Sequence, residues 1–441
     1  MLSIRSSTTR PRLRRVRALA AFGLALACSV ALTSCGSGDS GSGGDGKTLR
    51  LWHYEAANSA MGAAWNEAIK EFEAGHPGVK VKVEEKSFDQ IQKTASMVLG
   101  SDAAPDVMEY NKGDATAGLL SKQGLLTDMS AEVGRRGWDK LLPPSVTTTS
   151  RYSPAGKMGS GKWYGVPNYG EYLMAYYNED LFKKYGIKIP KTFDELTTAL
   201  REFKQHGVTP LANSGAEYVA HQYLYQLALT KADRAWVDDY ELKGRADFHD
   251  AAWTYAAETF SDWVKKGYIS KNTTSATAEN AGVSWLQQKS PIIFSGSWWF
   301  GRFQDEAKFG WSSGVFPGAS LTAGSGGNLW VVPAKSRNKQ LAYDFIDITM
   351  SKKIQNMLGN KGGVPVAADA SAIKDPKSKE LIDHFNSLTK NDGLAYYPDW
   401  PVAGYYETLV SQTQRLMTGS ATPDTYLDAL QAAYDKGASK G

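Results

Sequence analysis

Apolar positions along the chain follow two rhythms in turn. "TLRLWHY", from Thr48, is a short apolar run, and "NSAMGAAWNEAIKEFEAGHPG" then spaces Met61, Trp65, Ala68, Ile69 and Phe72 at helical intervals. Asn58 or Ser59 can cap that helix, and the stretch from Gly75 to Gly78 stops it. In "VKVKVEE" the period becomes two: Val79, Val81 and Val83 alternate with Lys80 and Lys82, which predicts a half-buried strand. A helix over Phe88 to Leu99 and a strand at "APDVMEY" repeat the alternation. Strand and helix in turn at these spacings predict a mostly parallel sheet covered by helices.

Further on, "GKWYGVPNYGEYLMAYYNEDLF" is aromatic and strand-like, broken by Gly and Pro, and runs into a short helix. Thr192 with Glu195 forms a capping box before "FDELTTALREFKQ", which Gly207 ends. From Asp250 to Lys266 a stripe of Trp253, Ala256, Ala257, Phe260 and Trp263 predicts a helix facing the core. "SPIIFSGSWWFG" reads as a buried strand ending in aromatics, and "GGNLWVVPAKS" as a strand leaving a glycine turn. One helix over Lys339 to Leu358 and a last one opened by Thr422 and Pro423 complete the prediction. No fixed-period repeat is present, so two α/β lobes are the economical architecture.

The amino-terminal segment follows a different logic. Six arginines (Arg5, Arg10, Arg12, Arg14, Arg15, Arg17) precede an apolar run from Ala18 to Leu32, the order of a secretory signal peptide. The run is shorter than the roughly 20 residues a spanning helix needs. Leu32-Thr33-Ser34-Cys35 resembles the lipobox of bacterial lipoproteins, which implies removal of residues 1–34, acylation of Cys35 and anchoring at the outer face of the cell membrane. The alternative is an ordinary signal peptide with Cys35 a bystander. Residues 36–46, almost all Gly, Ser and Asp, form a polar tether of 11 residues spanning around 18 Å. Cys28 leaves with the leader, so no disulfide framework remains.

Processing also changes the charge. Without the leader arginines, 44 basic residues face 46 acidic ones, and the formal +4 of the whole chain becomes about −2. Net charge therefore gives no support to nucleic-acid binding. The roughly 395 residues beyond the tether suffice for two domains.

Chemical motifs are few. "GSGDSG" in the tether matches G-x-G-x-x-G with no strand before it and no helix after it. "GKMGSGKW", Gly156 to Trp163, places Trp163 where a P-loop needs Ser or Thr, and reads as a surface turn. The six histidines show no ligand spacing, so neither a metal nor another cofactor is expected. There is no G-x-S-x-G. A glycosidase needs only two well-placed carboxylates, and the sequence singles out no pair. What stands out is aromatic residues at chain breaks: Trp52 and Tyr54, Tyr169 and Tyr172 beside Gly170, Trp298-Trp299, Tyr396-Tyr397 and Trp400. Such rings stack on the C–H face of a sugar while Asn, Asp and Glu accept its hydroxyl hydrogens.

The order of "FEAGHPGVKV", "APDVMEYNKGD", "LLSKQGLLTDM", "KWYGVPNYGEYLMAYYNEDLFKKYGI", "PKTFDEL", "FSGSWW" and "GGNLWVVPAKSRNKQLAYDFI" resembles the family 1 extracellular solute-binding proteins, the sugar-binding components of ABC importers. The resemblance implies a periplasmic-binding-protein-like α/β fold: two lobes joined by hinge segments, with the ligand cleft between them. Mapped here, residues 47–167 plus 319–361 would form the first lobe and 168–318 plus 362–441 the second. It also implies a non-catalytic monomer that binds a small carbohydrate and delivers it to ABC permease subunits served by a separate ATPase. By position in the family motifs, Glu171 would be a hinge carboxylate touching sugar and Trp298 the tryptophan of Gly-x-Trp. Tyr218 and Tyr405 would stack from the second lobe. Asn111 and Asp114, with Tyr110 where the family has tryptophan, would lie in the loop carrying first-lobe contacts. Tyr54, Glu55, Gly327 and Asn328, with the aromatics Tyr169, Trp299 and Trp400, complete the expected ligand-binding set. The alternatives are an exported glycoside hydrolase and a same-fold receptor for a non-sugar solute such as a polyamine.

Overall fold

The computed structural model describes residues 46–438; the leader, Cys35 and most of the tether lie outside the described residues. Two main sheets, each covered by helices, form two α/β lobes. In the first sheet the strands run in the order Lys80–Glu85, Thr48–His53, Val107–Tyr110, Leu329–Val331 and Val166–Pro167. Thr48–His53 is parallel to both neighbours, as a strand–helix–strand connection requires. Leu329–Val331 enters antiparallel.

The helix Ala60–Gly75 covers this sheet. Ser59 Oγ accepts the Gly62 N–H at 2.9 Å and caps it, and Met61, Trp65, Ala68 and Phe72 are buried beneath. Phe72 and Trp330 both meet the ring of Phe345, at 6.0 and 5.4 Å between centroids. Phe345 lies on Lys339–Thr349, and here the expected single helix is two. Ser351 adopts an extended backbone and its hydroxyl accepts the Ile354 N–H, so a new helix, Lys352–Asn360, starts there. The alternation of Val79, Val81 and Val83 is also less buried than expected. Lys80–Glu85 is an edge strand, and Val83 is exposed.

The second sheet is mixed rather than mostly parallel. Its axis is Tyr169–Asn178, a strand buried over all ten residues. Ile292–Gly296 and Trp311–Gly314 flank it antiparallel, and only Leu211–Ala212 runs parallel, to Ile292–Gly296. Helices make up most of the chain between these strands. Those helices pack as expected. Asp250 caps Ala251–Lys265 through the Trp253 N–H at 2.8 Å, and the five apolar stripe residues are all buried. The Thr192–Glu195 capping box is present.

At its first residues the strand Tyr169–Asn178 pairs with two short segments, Gly324–Gly326 and Val364–Pro365. Gly324–Gly326 leads into Leu329–Val331 of the first sheet, and Val364–Pro365 follows the helix Lys352–Asn360 that packs with Ala60–Gly75, so the chain passes between the sheets at three places side by side. Register sets what meets there. Leu329 pairs with both Tyr110 and Pro167. The carboxyl ends of Val107–Tyr110 and Val166–Pro167 and the amino end of Leu329–Val331 thus share one edge. Among the described residues no helix is long and apolar enough to cross a membrane.

Candidate functional site

Strand ends converge on a cavity of about 350 Å³ between the sheets, within the 300–1,000 Å³ usual for small-molecule sites. Tyr54 and Glu55 follow Thr48–His53, Asn111 and Lys112 follow Val107–Tyr110, and Asn328 precedes Leu329–Val331; all five line it. The crossing strand contributes Tyr169 and Glu171, two residues apart and so on one face. Gly170 and Tyr172 face away: a Cβ on Gly170 would meet the Phe385 ring, and the Tyr172 hydroxyl donates to the Leu381 carbonyl at 2.9 Å.

Polar groups at the floor are tied together. Lys112 Nζ donates to Glu171 Oε1 and, at 3.1 Å, to Asn328 Oδ1. Asn328 Nδ2 donates to the Tyr169 hydroxyl at 2.5 Å, and that hydroxyl donates to Glu55 Oε1 at 3.5 Å. Lys112 is 2% and Glu171 4% exposed, so this is a buried ion pair. The Lys112 charge also pulls on Glu55, Glu109 and Asp399, so four carboxylates share one lysine. Burial, with the charge of Glu171 beside it, pushes the Glu55 carboxyl up to about 7. Burial also raises Glu171, against the pull of Lys112, and lifts Glu109 well above the usual range.

A raised carboxyl holds its proton more tightly folded than unfolded. The contribution of Glu55 to stability is therefore full below about pH 4.5 and declines as pH rises toward about 7. Glu55→Gln is expected to remove this decline, on the order of 3 kcal/mol, read in denaturant unfolding as a stability gap between variant and wild type that changes by that amount across the range. His53, lowered to about 4 by burial, acts with the opposite sign and is common to both proteins.

An aromatic wall also lines the cavity. Tyr218, Trp298, Tyr397 and Trp400 follow one another at centroid distances of 5.6, 6.3 and 5.4 Å, and Trp298 Nε1 donates to the Tyr218 hydroxyl at 3.2 Å. Tyr54 packs edge-on to Phe88 at 5.4 Å. Trp298 owes its position to Gly296, which ends the strand Ile292–Gly296. A Cβ there would lie 1.9 Å from the indole ring, although the backbone conformation itself suits any residue. Gly296→Ala is thus expected to keep the fold while displacing Trp298, detected as a shift in tryptophan emission with an unchanged far-ultraviolet circular dichroism spectrum.

Of the residues expected from the sequence, Tyr54, Glu55, Asn111, Tyr169, Glu171, Tyr218, Trp298, Trp299, Asn328 and Trp400 line the cavity. Three do not. Asp114 turns away: Oδ1 accepts the Met158 N–H at 2.7 Å and Oδ2 pairs with Lys157 at 3.2 Å, which pins the glycine-rich turn near Gly156 to the sheet. Gly327 lies under the Tyr169 ring, with no room for a Cβ, and is a seat for that ring. Tyr405 packs between Phe248 and Tyr434 in the helical core, while its neighbour Tyr406 reaches the cavity. Tyr110 is buried in the core. Lys112, Phe88, Gln222, Tyr397, Asp399 and Tyr406 also line the cavity without having been expected there. Lys112 stood between two expected residues, and Tyr397 was visible as an aromatic at a chain break. Among the described residues no group of three His, Cys, Asp or Glu side chains could hold a metal ion.

The chain is similar to known proteins over most of its length. The maltooligosaccharide ABC transporter solute-binding lipoprotein of Streptococcus pneumoniae is 26% identical over 399 residues, covering 85% of this chain and 86% of that protein. The diacetylchitobiose binding protein of Streptomyces coelicolor is 26% identical over 373 residues, covering 78% and 80%. Among solved structures, a chitin oligosaccharide binding protein matches 90% of this chain and 100% of its own with a TM-score of 0.77 at 22% identity. The model of the family described as bacterial extracellular solute-binding protein matches residues 56–356, and this chain belongs to that family.

Proposed function

We propose that this protein is the substrate-binding component of an ABC importer for carbohydrate, capturing an oligosaccharide in the cavity by closure of its lobes. The observation that carries the reading is the pairing of an aromatic wall, Tyr218 to Trp400, with carboxylates and amides on the strand ends. Rings take the apolar face of a sugar and the polar groups take its hydroxyls. Each such contact contributes a net of about 1 kcal/mol, so micromolar binding at about −8 kcal/mol engages most of the wall. Names of relatives that bind maltooligosaccharide and diacetylchitobiose support the ligand class.

In this reading the lobes follow the sheets, with crossings at Pro167–Tyr169, Gly326–Leu329 and Asn360–Val364. Closure is a population shift toward the state that binds ligand more tightly. Cys35 carries the lipid anchor, and the permease and ATPase are separate chains. The protein acts as a monomer without catalysis: oligosaccharides incubated with it should be recovered intact, and turnover would sink the receptor reading in favour of a hydrolase.

A thermal-shift screen of mono- and oligosaccharides tests the function. Bound ligand at 100 times its Kd adds about 2.7 kcal/mol of apparent stability. Trp298→Ala is expected to weaken the binding found by at least about tenfold, roughly 1.4 kcal/mol, with the fold intact; unchanged affinity would remove Trp298 from the site.

A further inference from the structure

We propose that the cavity prefers a saccharide carrying a basic nitrogen, an amino sugar whose ammonium group is received by Glu55 and Asp399, over neutral and acidic saccharides. This rests on the carbohydrate reading above and specifies its ligand. Six carboxylates line the cavity against two basic side chains, Lys112 and Arg302. Three of the six are paired with a cation. Glu171 is paired with Lys112, Glu279 with Arg302 at 2.7 Å, and Asp89 with Lys93 at 2.5 Å. Glu217 accepts the Ala278 N–H at 2.6 Å.

Glu55 and Asp399 are hydrogen-bonded to neutral groups, and the one lysine whose charge reaches them, Lys112, is spent in its ion pair with Glu171. Glu55 receives the Ser59 hydroxyl at 3.3 Å and the Tyr169 hydroxyl at 3.5 Å. Asp399 has the Asn111 side chain and its own backbone N–H. Desolvation, with the charge of Glu171 nearby, outweighs the pull of Lys112 and raises both carboxyls, Glu55 to about 7 and Asp399 to about 6. An ammonium group in the cavity would supply the missing charge through charge-assisted hydrogen bonds.

Two further observations point to a polar ligand. Gln222 Oε1 and the Tyr397 hydroxyl, on side chains 5% and 4% exposed, belong to the cavity wall and have no hydrogen-bond partner among the described residues. The wall also already accommodates a cation: the Lys112 ammonium stands 5.2 Å from the Trp400 ring centre and 5.7 Å from that of Tyr397. An acidic sugar would find both basic groups engaged and the remaining charge repulsive.

The test is calorimetric titration at about pH 7 with matched pairs that differ in charge: deacetylated against N-acetylated chito-oligosaccharides, acarbose against maltotetraose, and oligogalacturonate as the acidic probe. At least one amino member should bind about tenfold or more tighter than its neutral partner, the effect of one hydrogen-bonded charge, with the acidic probe weakest. The isosteric variants Glu55→Gln and Asp399→Asn, checked for folding by thermal unfolding, should reduce that preference. Neutral saccharides binding as well as or better than amino ones would overturn this inference and leave the carbohydrate reading standing. Binding of no saccharide of any charge would overturn both.

Discussion

Lys112→Met is expected to lower folding stability by about 3–5 kcal/mol at neutral pH, the range for removing one partner of a buried ion pair. Urea or guanidinium unfolding measures it. Methionine keeps most of the stem, so the loss is chiefly electrostatic: Glu171 stays buried without its cation, and Asn328 Oδ1 loses its donor. Glu55 and Glu109 lose the one lysine that offsets them as well. Adding Glu171→Gln should recover a large part of the loss, because one buried charge fewer is then uncompensated. If the double variant is as unstable as the single one, packing of the lysine stem rather than charge sets the cost.

Trp65→Ala is the second large effect, expected at about 3–5 kcal/mol for a fully buried tryptophan. The Trp65 ring joins the first sheet to the cavity, standing 5.5 Å from Trp330 and 6.5 Å from Tyr169. Its indole N–H has no hydrogen-bond partner. Trp65→Phe therefore discards an unpaired donor along with some volume and should cost much less than Trp65→Ala. Equal losses in the two variants would mean that the indole shape itself holds Tyr169 in place. Denaturant unfolding of both variants decides.

How far the sequence reached depends on what each residue advertises locally. Caps and stripes were legible: Ser59 and Thr192 open helices through their own side chains, and Trp253 to Trp263 bury one face. The break at Ser351 was not, because the apolar spacing of Phe345, Ile346, Ile354 and Leu358 carries across it while only a cap-forming serine marks the gap. Strand direction in the second sheet depends on long-range connection, which no local pattern encodes.

At the site, residues at strand ends were recoverable because a strand's end fixes where its next side chains sit. Eight of the ten expected residues that line the cavity are of this kind or stand beside a glycine break, while Tyr218 lies at a helix start and Trp400 in a loop. Tyr405 illustrates the opposite limit. It starts a helix, where one residue is a rotation of about 100°, so the neighbouring Tyr406 takes the cavity side. Lys112 was hidden for a different reason: a lysine in a loop ordinarily faces water, and only the convergence of three chain segments makes it the buried counter-ion.

The strand Tyr169–Asn178 has a mechanical consequence. Its ten residues reach roughly 30 Å, with both faces packed and hydrogen-bonded neighbours along its length. It is a stiff lever whose short arm, Tyr169 to Glu171, projects into the cavity and whose far end, Asn178, is bonded to Trp311. A tilt of the short arm would be delivered to Trp311, whose ring lies 3.9 Å from the Lys377 ammonium. That distant indole could serve as a gauge of what the cavity holds.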